Sequence, residues 1–202
     1  TGKNIVGYLP NIADKSIETG EAFKQKSPLY DIMLATNTGK RQFCGQDEEI
    51  EALVDEANTK VSGLKWLLAG IKGAPGLNGY EYIEKLAQSA MGLNLSRLND
   101  IYHYSSDRMV HIMANGGLAF IDRRTGFNDI FTEDEAAFYS ERGEFFDKLR
   151  FYKENPEARM KTAEKGFIKI HHDFNDIVIT KYMADLLFSN KITEKPWQVL
   201  LK

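Results

Sequence analysis

Residues 91–121 read MGLNLSRLNDIYHYSSDRMVHIMANGGLAFI. The stretch opens on an apolar run, Met91–Leu95, short and nearly continuous, as a strand buried on both faces requires. Polar residues follow, from Ser96 and Arg97 through Asn99 and Asp100 to His103 and Tyr104. Ser105, Ser106 and Asp107 suit an N-cap and first turn, so a short helix is expected over Ser105–Ala114. Asn115-Gly116-Gly117 ends it, with glycine supplying the left-handed cap. A second apolar run, Gly117–Ile121, completes the order strand, loop, helix, strand. That order defines a βαβ unit and a mainly parallel sheet.

The alternation extends in both directions. Asn4–Leu9, Tyr30–Thr36, Leu64–Ile71 and Ala136–Tyr139 read as further strands. Asp47–Lys60 places Ile50, Leu53, Val54 and Ala57 on one helical face, and Gly79–Ser89 groups Tyr82, Ile83, Leu86 and Ala87. Arg142–Glu154 does the same with Phe145, Phe146, Leu149 and Tyr152. Pro156 fits the first position of the next helix with Asn155 as its cap, and Gly166 is expected to interrupt or end that helix near Lys165. A last helix over Asp173–Phe188 has Ile177, Tyr182, Met183, Leu186 and Leu187 as its apolar set. The expected fold class is α/β, a Rossmann-like parallel sheet flanked by helices.

The chain has 202 residues, enough for one good core and short for two full domains. Residues 30–202 read as that domain, and residues 1–29 as a hinge or interdomain crossover. The chain opens on Thr1-Gly2, so an excised piece of a longer protein is expected. A formal net charge of -3 argues against a general nucleic-acid binder. The single cysteine, Cys44, excludes an internal disulfide framework and fits a cytoplasmic setting. No apolar run approaches the roughly 20 residues of a membrane span.

Chemistry concentrates in the loops at strand carboxyl ends, where open α/β sheets bind ligands. Asn37-Thr38-Gly39-Lys40-Arg41 joins a turn-forming glycine to two cations able to neutralise a phosphate. Its spacing is not that of a Walker A loop. Gly73–Gly79 is a turn-rich strand-to-helix loop. The helix expected from Ser105 offers free N–H groups to an anion, with Arg108 in its first turn and His111 one turn further on. The bland reading is caps, turns and solvated charges. The four histidines, His103, His111, His171 and His172, form no recognised metal motif, and Asp-x-Asp is absent. No cofactor or metal is therefore expected.

Taken together, Ser105-Ser106-Asp107-Arg108 followed by His111–Phe120 resembles the donor-binding segment of group-1 glycosyltransferases, and most closely their spore-maturation (CgeB-like) branch. Phe145–Arg159 is similar to that branch's helix and Asn-Pro-Glu-x-Arg segment. Lys161–Asp173 resembles its continuation, and Asp31–Gln42 its first strand and phosphate loop. The resemblance covers most of residues 30–188. It implies the C-terminal half of a GT-B fold, with a nucleotide diphosphate sugar as donor substrate and an N-terminal acceptor domain as the missing partner. For glycosyl transfer, the absence of Asp-x-Asp favours a metal-independent mechanism. The donor and phosphate contacts the resemblance implies are Asn37, Lys40, Arg41, Ser96, Arg97, Tyr104, Ser105, Asp107, Arg108, His111 and Gly116. Two glutamates that many group-1 members carry eight positions apart fall here on His103 and His111.

Other readings fit the same residues. A non-catalytic module would hold a nucleotide or sugar without turnover. An enzyme of another class, such as a sugar-nucleotide epimerase, uses the same architecture. A purely structural domain would bind no nucleotide at all.

Overall fold

Five of the apolar runs form one parallel sheet. A computed structural model describes residues 8–37, 39–104, 106–188 and 195–197. The strands of the sheet are β1 (Tyr30–Ala35), β4 (Trp66–Ala69), β5 (Ser89–Asn94), β6 (Leu118–Asp122) and β7 (Ala137–Tyr139), in the order β4-β1-β5-β6-β7. Every pairing is parallel. The helices are α1 (Ile50–Lys60), α2 (Gly79–Ala87), α3 (Arg108–Ala114), α4 (Arg142–Glu154), α5 (Pro156–Asp173) and α6 (Asp176–Leu187).

Side chains alternate across the sheet, and both faces are covered. Ile32, Leu34, Leu118 and Phe120 pack with α1 and α4 through Leu53, Val54, Phe145 and Leu149. Met33, Ala119, Ile121 and Phe138 pack on the opposite face with α2, α3 and α6, through Ile83, Leu86, Met109, Met113 and Ile179. This double burial is why the strands read as continuous apolar runs. The α/β, Rossmann-like class expected from the sequence is the one observed.

Several boundaries differ from the sequence reading, each for a local reason. Residues 47–49 do not open α1. They belong to an antiparallel hairpin of β2 (Lys40–Phe43) and β3 (Gln46–Glu49). Its two turn residues, Cys44 and Gly45, both have positive φ, +52° and +78°, as a tight two-residue hairpin turn requires. The Cys44 N–H donates to Asp122 Oδ2 at 3.1 Å, which anchors that turn to the end of β6.

Gly166 neither breaks nor ends a helix, because α5 runs through it. A Cβ there would meet the Glu135 carbonyl oxygen at 2.3 Å, so the glycine permits close packing. The last helix starts at Asp176, where the Asn175 side chain accepts the Val178 N–H at 2.9 Å. Its core contacts come from Ile179 and Tyr182, while Ile177 and Leu187 are exposed. Asn155 stands at the expected cap position, but its side chain donates back to the Phe151 carbonyl of α4.

Of the expected strand Asn4–Leu9, residues 4–7 lie outside the described residues, and Tyr8 and Leu9 are in no strand. The segment from Tyr8 to Lys24 packs along the domain. Ala13 bridges Asn175, and the Gly20 and Ala22 N–H groups donate to the side-chain and backbone oxygens of Asn115. Arg159, nearly fully buried, donates to the carbonyls of Gln25 and Lys26 and fixes the chain just before β1.

Candidate functional site

In this strand order the chain leaves β1 toward β4 on one side and returns to β5 on the other. The loops leaving the carboxyl ends of β1 and β5 therefore run to opposite sides, a switch point of the kind where open α/β sheets bind ligands. An open cleft of about 560 Å³ lies there. Its floor is Ala35 and Leu95, the first residues at or past the ends of the two strands.

Two arginines hold the cleft's shape. Arg108, at the start of α3, donates from Nε to the Ala35 carbonyl at 3.0 Å and from Nη1 to the Leu95 carbonyl at 2.6 Å. One guanidinium thus spans the gap between β1 and β5. Arg41, on β2, donates to the Lys40 carbonyl at 2.8 Å, the Thr36 hydroxyl at 2.9 Å and the Asn37 carbonyl at 3.3 Å. The hairpin that carries it is tied to the loop after β5. The Asn99 side chain donates to the Gln42 carbonyl at 2.8 Å, and the Asn99 N–H donates to the Gln42 side-chain oxygen at 2.5 Å.

Three arginines and one carboxylate, Asp107, line the cleft. Among the described residues no carboxylate lies within ion-pair distance of Arg41, Arg97 or Arg108. Burial lowers the pKa of Arg41, and the nearby Arg97 charge lowers it further. Burial also lowers that of Arg108, opposed by Tyr82 and Asp107 and reinforced by Arg41. Both stay charged, because arginine starts so high. Ser96 lines the same cleft, is 4% exposed, and its hydroxyl has no hydrogen-bond partner. A buried hydroxyl left unpaired costs stability unless something else satisfies it. The Tyr82 hydroxyl, whose pKa burial pushes up to about 12, completes a neutral wall.

Of the residues expected at the site, Asn37, Arg41, Ser96, Arg97, Tyr104, Asp107 and Arg108 line the cleft. Ser105 lies outside the described residues. Lys40 is exposed on the hairpin and does not line the cleft. The strand period accounts for this: neighbours on β2 face opposite ways, and Arg41 is the one turned inward. Gly116 sits at the far end of α3 with φ +78°, and a Cβ there would meet the Ala22 nitrogen at 2.7 Å. It ends the helix and does not line the cleft. The helix starts at Arg108, not at Ser105, and has only seven residues. Of its residues only the first, Arg108, lines the cleft, beside the N-cap Asp107 and Ser106.

The two histidines at the glutamate positions differ in setting. His103 is buried away from the cleft, stacked on Tyr102 with 3.8 Å between ring centroids, and burial lowers its pKa. His111 stands just behind the lining residues, edge-on to Tyr82 and 3.7 Å from Asp107. Thr36, Gly70, Leu77, Asn78, Tyr82 and Ser106 also line the cleft and are not among the contacts the resemblance implied. The turn-rich Gly73–Gly79 loop was the available signal for Leu77 and Asn78. Tyr82 gave none, because it reads as one more apolar residue on a helix face.

Fold and cleft together define a Rossmann-like α/β domain with an arginine-lined cleft at its switch point. The model of the glycosyl transferase-like family matches residues 41–180, well over half of the chain, and the chain belongs to that family. Among solved structures, sucrose-phosphate synthase from Thermosynechococcus elongatus is 16% identical with a TM-score of 0.54, covering 90% of this chain and 45% of that one. The C-terminal domain of a group 1 family glycosyl transferase from Francisella tularensis is 13% identical with a TM-score of 0.46, covering 62% and 60%. The chain thus spans less than two thirds of either neighbour's length. No curated protein matches it. No described helix is long and apolar enough to cross a membrane.

Proposed function

We propose that the cleft binds the diphosphate of a nucleotide sugar and that the chain is the donor half of a glycosyltransferase, working with an acceptor domain. The observation that carries this reading is the set of three arginines with no described carboxylate within ion-pair distance, lining one cleft with the unpaired Ser96 hydroxyl at the switch point. Charged donors left without an anion, in a partly desolvated cleft, are suited to one supplied from outside. Glycosyl transfer releases a nucleotide diphosphate, and negative charge grows on it as the glycosidic bond breaks. Preorganised guanidiniums stabilise that charge more in the transition state than in the ground state. In this reading Arg41 and Arg108 do so without a metal ion, and the sugar points toward the open mouth.

The test is calorimetric titration and thermal shift with ADP, GDP, UDP and their sugar conjugates. The expected result is saturable binding of at least one diphosphate, and a rise in melting temperature with ligand concentration. Arg41→Gln is expected to weaken binding about ten- to hundredfold, as loss of a charge-assisted contact does. Lys40→Ala, outside the cleft, is expected to leave it within about twofold. Absence of binding across the panel defeats the reading. A binding module without turnover makes the same contacts, so transfer of sugar to an acceptor in the full-length protein separates the two.

A further inference from the structure

The segment before β1 reaches α3, behind the cleft lining, through one carboxylate. Glu18 is 3% exposed, and its side chain pairs with Nδ1 of His111. Its other oxygen accepts the Asp14 N–H at 2.5 Å, so the carboxylate is held from its own segment as well. His111 lies one turn beyond Arg108 on α3, with Tyr82 of α2 edge-on to its ring at 5.9 Å. Its second nitrogen, Nε2, faces Asp107 at 3.7 Å. Tyr82, Asp107 and Arg108 all line the cleft. From α5, which packs on α3, His171 bonds to the Ala114 carbonyl at 2.9 Å.

We propose that Glu18 is a positioning residue: it fixes His111 so that Nε2–H points to the cleft margin and donates to an oxygen of the bound nucleotide. The proposal rests on the nucleotide diphosphate reading of the cleft. A neutral imidazole would have to choose a tautomer, and the Glu18 carboxylate requires a proton on Nδ1. Protonation of both nitrogens satisfies Glu18 and leaves a charged donor facing Asp107 and the ligand. Burial works against the charged form of His111. The hydrogen bond and charge of Glu18, then Asp107, outweigh it and hold the imidazole above the ordinary histidine range. The segment before β1 is then part of the site.

The experiment is an NMR titration of the His111 imidazole, paired with nucleoside diphosphate affinity across pH 5 to 9, on the parent and on E18Q. In the parent, His111 is expected to titrate above the ordinary histidine midpoint, and affinity is expected to fall about tenfold as it loses its proton. E18Q keeps a hydrogen-bonding side chain and removes the charge. It is expected to move both midpoints to lower pH together. H111Q is expected to abolish this pH step with the fold intact by circular dichroism, and E18A, with the same expected shift of both midpoints, replaces E18Q if E18Q does not fold. Affinity that stays level through the His111 titration, or a His111 midpoint that E18Q does not move, overturns the proposal. Failure of the parent to bind any diphosphate at any pH defeats the cleft reading itself, and with it the ligand role of His111. The NMR midpoint alone then decides whether Glu18 orients the ring.

Discussion

Arg108 and Ala35 are 73 positions apart, yet the Nε–H of the one donates to the carbonyl of the other at 3.0 Å. With the second bond to Leu95, the side chain closes the triangle formed by α3, β1 and β5. The same group that lines the cleft therefore also braces it.

Arg108→Lys keeps the charge and loses the fork. We expect both properties to suffer. Hydrogen bonds to a charged group contribute about 1.5–3 kcal/mol each, so thermal stability should fall measurably. Nucleoside diphosphate affinity should fall about tenfold or more, although the formal charge of the cleft is unchanged. Equal melting temperature and equal affinity in the variant would show that the fork does neither job.

Ser96→Ala should behave in the opposite way. Its hydroxyl has no partner among the described residues, so removing it leaves the protein as stable as before or slightly more so. Binding of a diphosphate should weaken about two- to tenfold. If the variant melts several degrees lower and binds normally, the hydroxyl has an internal structural role.

Glu144 predicts the acid limb of stability. Burial raises its pKa, but the Ser140 N–H, Arg123 and Lys148 outweigh this and hold it down to about 2, against an ordinary 4.5. A carboxylate with a depressed folded pKa stabilises above its unfolded pKa, and loses that contribution as pH falls through the folded one. Glu144→Gln should melt lower than the parent at pH 7, and the two curves should converge between about pH 4.5 and 2. Parallel curves down to pH 2 would contradict the assignment.

Gly166→Ala tests the packing reading of α5. Alanine favours a helix interior by about 1 kcal/mol over glycine. Here its Cβ would meet the Glu135 carbonyl oxygen at 2.3 Å and the Met113 methyl at 2.9 Å. Overpacking of that kind costs about 1–3 kcal/mol, so the melting temperature should drop by about 2–10 °C. A rise instead would mean that the neighbouring loop gives way freely.

The sheet was legible because strands buried on both faces leave an unbroken apolar signature, and Met91–Leu95 carries it plainly. The β2–β3 hairpin was not. Lys40–Phe43 and Gln46–Glu49 are mostly polar, and Asp47 onward also fits the charged first turn of a helix. The side of a strand on which a cation sits follows from register, so Lys40 and Arg41 looked equivalent until the ladder separated them. Gly166 was misread because local rules treat glycine as a helix breaker, while its reason lies in Glu135, 31 positions away. Glu18 escaped notice for the same cause: nothing near it in sequence marks a partner on α3.

Arg41 stands on a paired strand, with its guanidinium held by Thr36, Lys40 and Asn37 before any ligand arrives. An arginine on an open loop gives up rotamer freedom at the moment of association, at a cost of about 0.5–1.5 kcal/mol. Here that ordering happens when the chain folds. Arg41 Nε order parameters should already be high in the apo protein and change little on saturation. Encounter with an anion should then need no slow rearrangement of this side chain, and mutations that loosen the hairpin, such as Asn99→Ala, should slow capture without touching the cleft's charge.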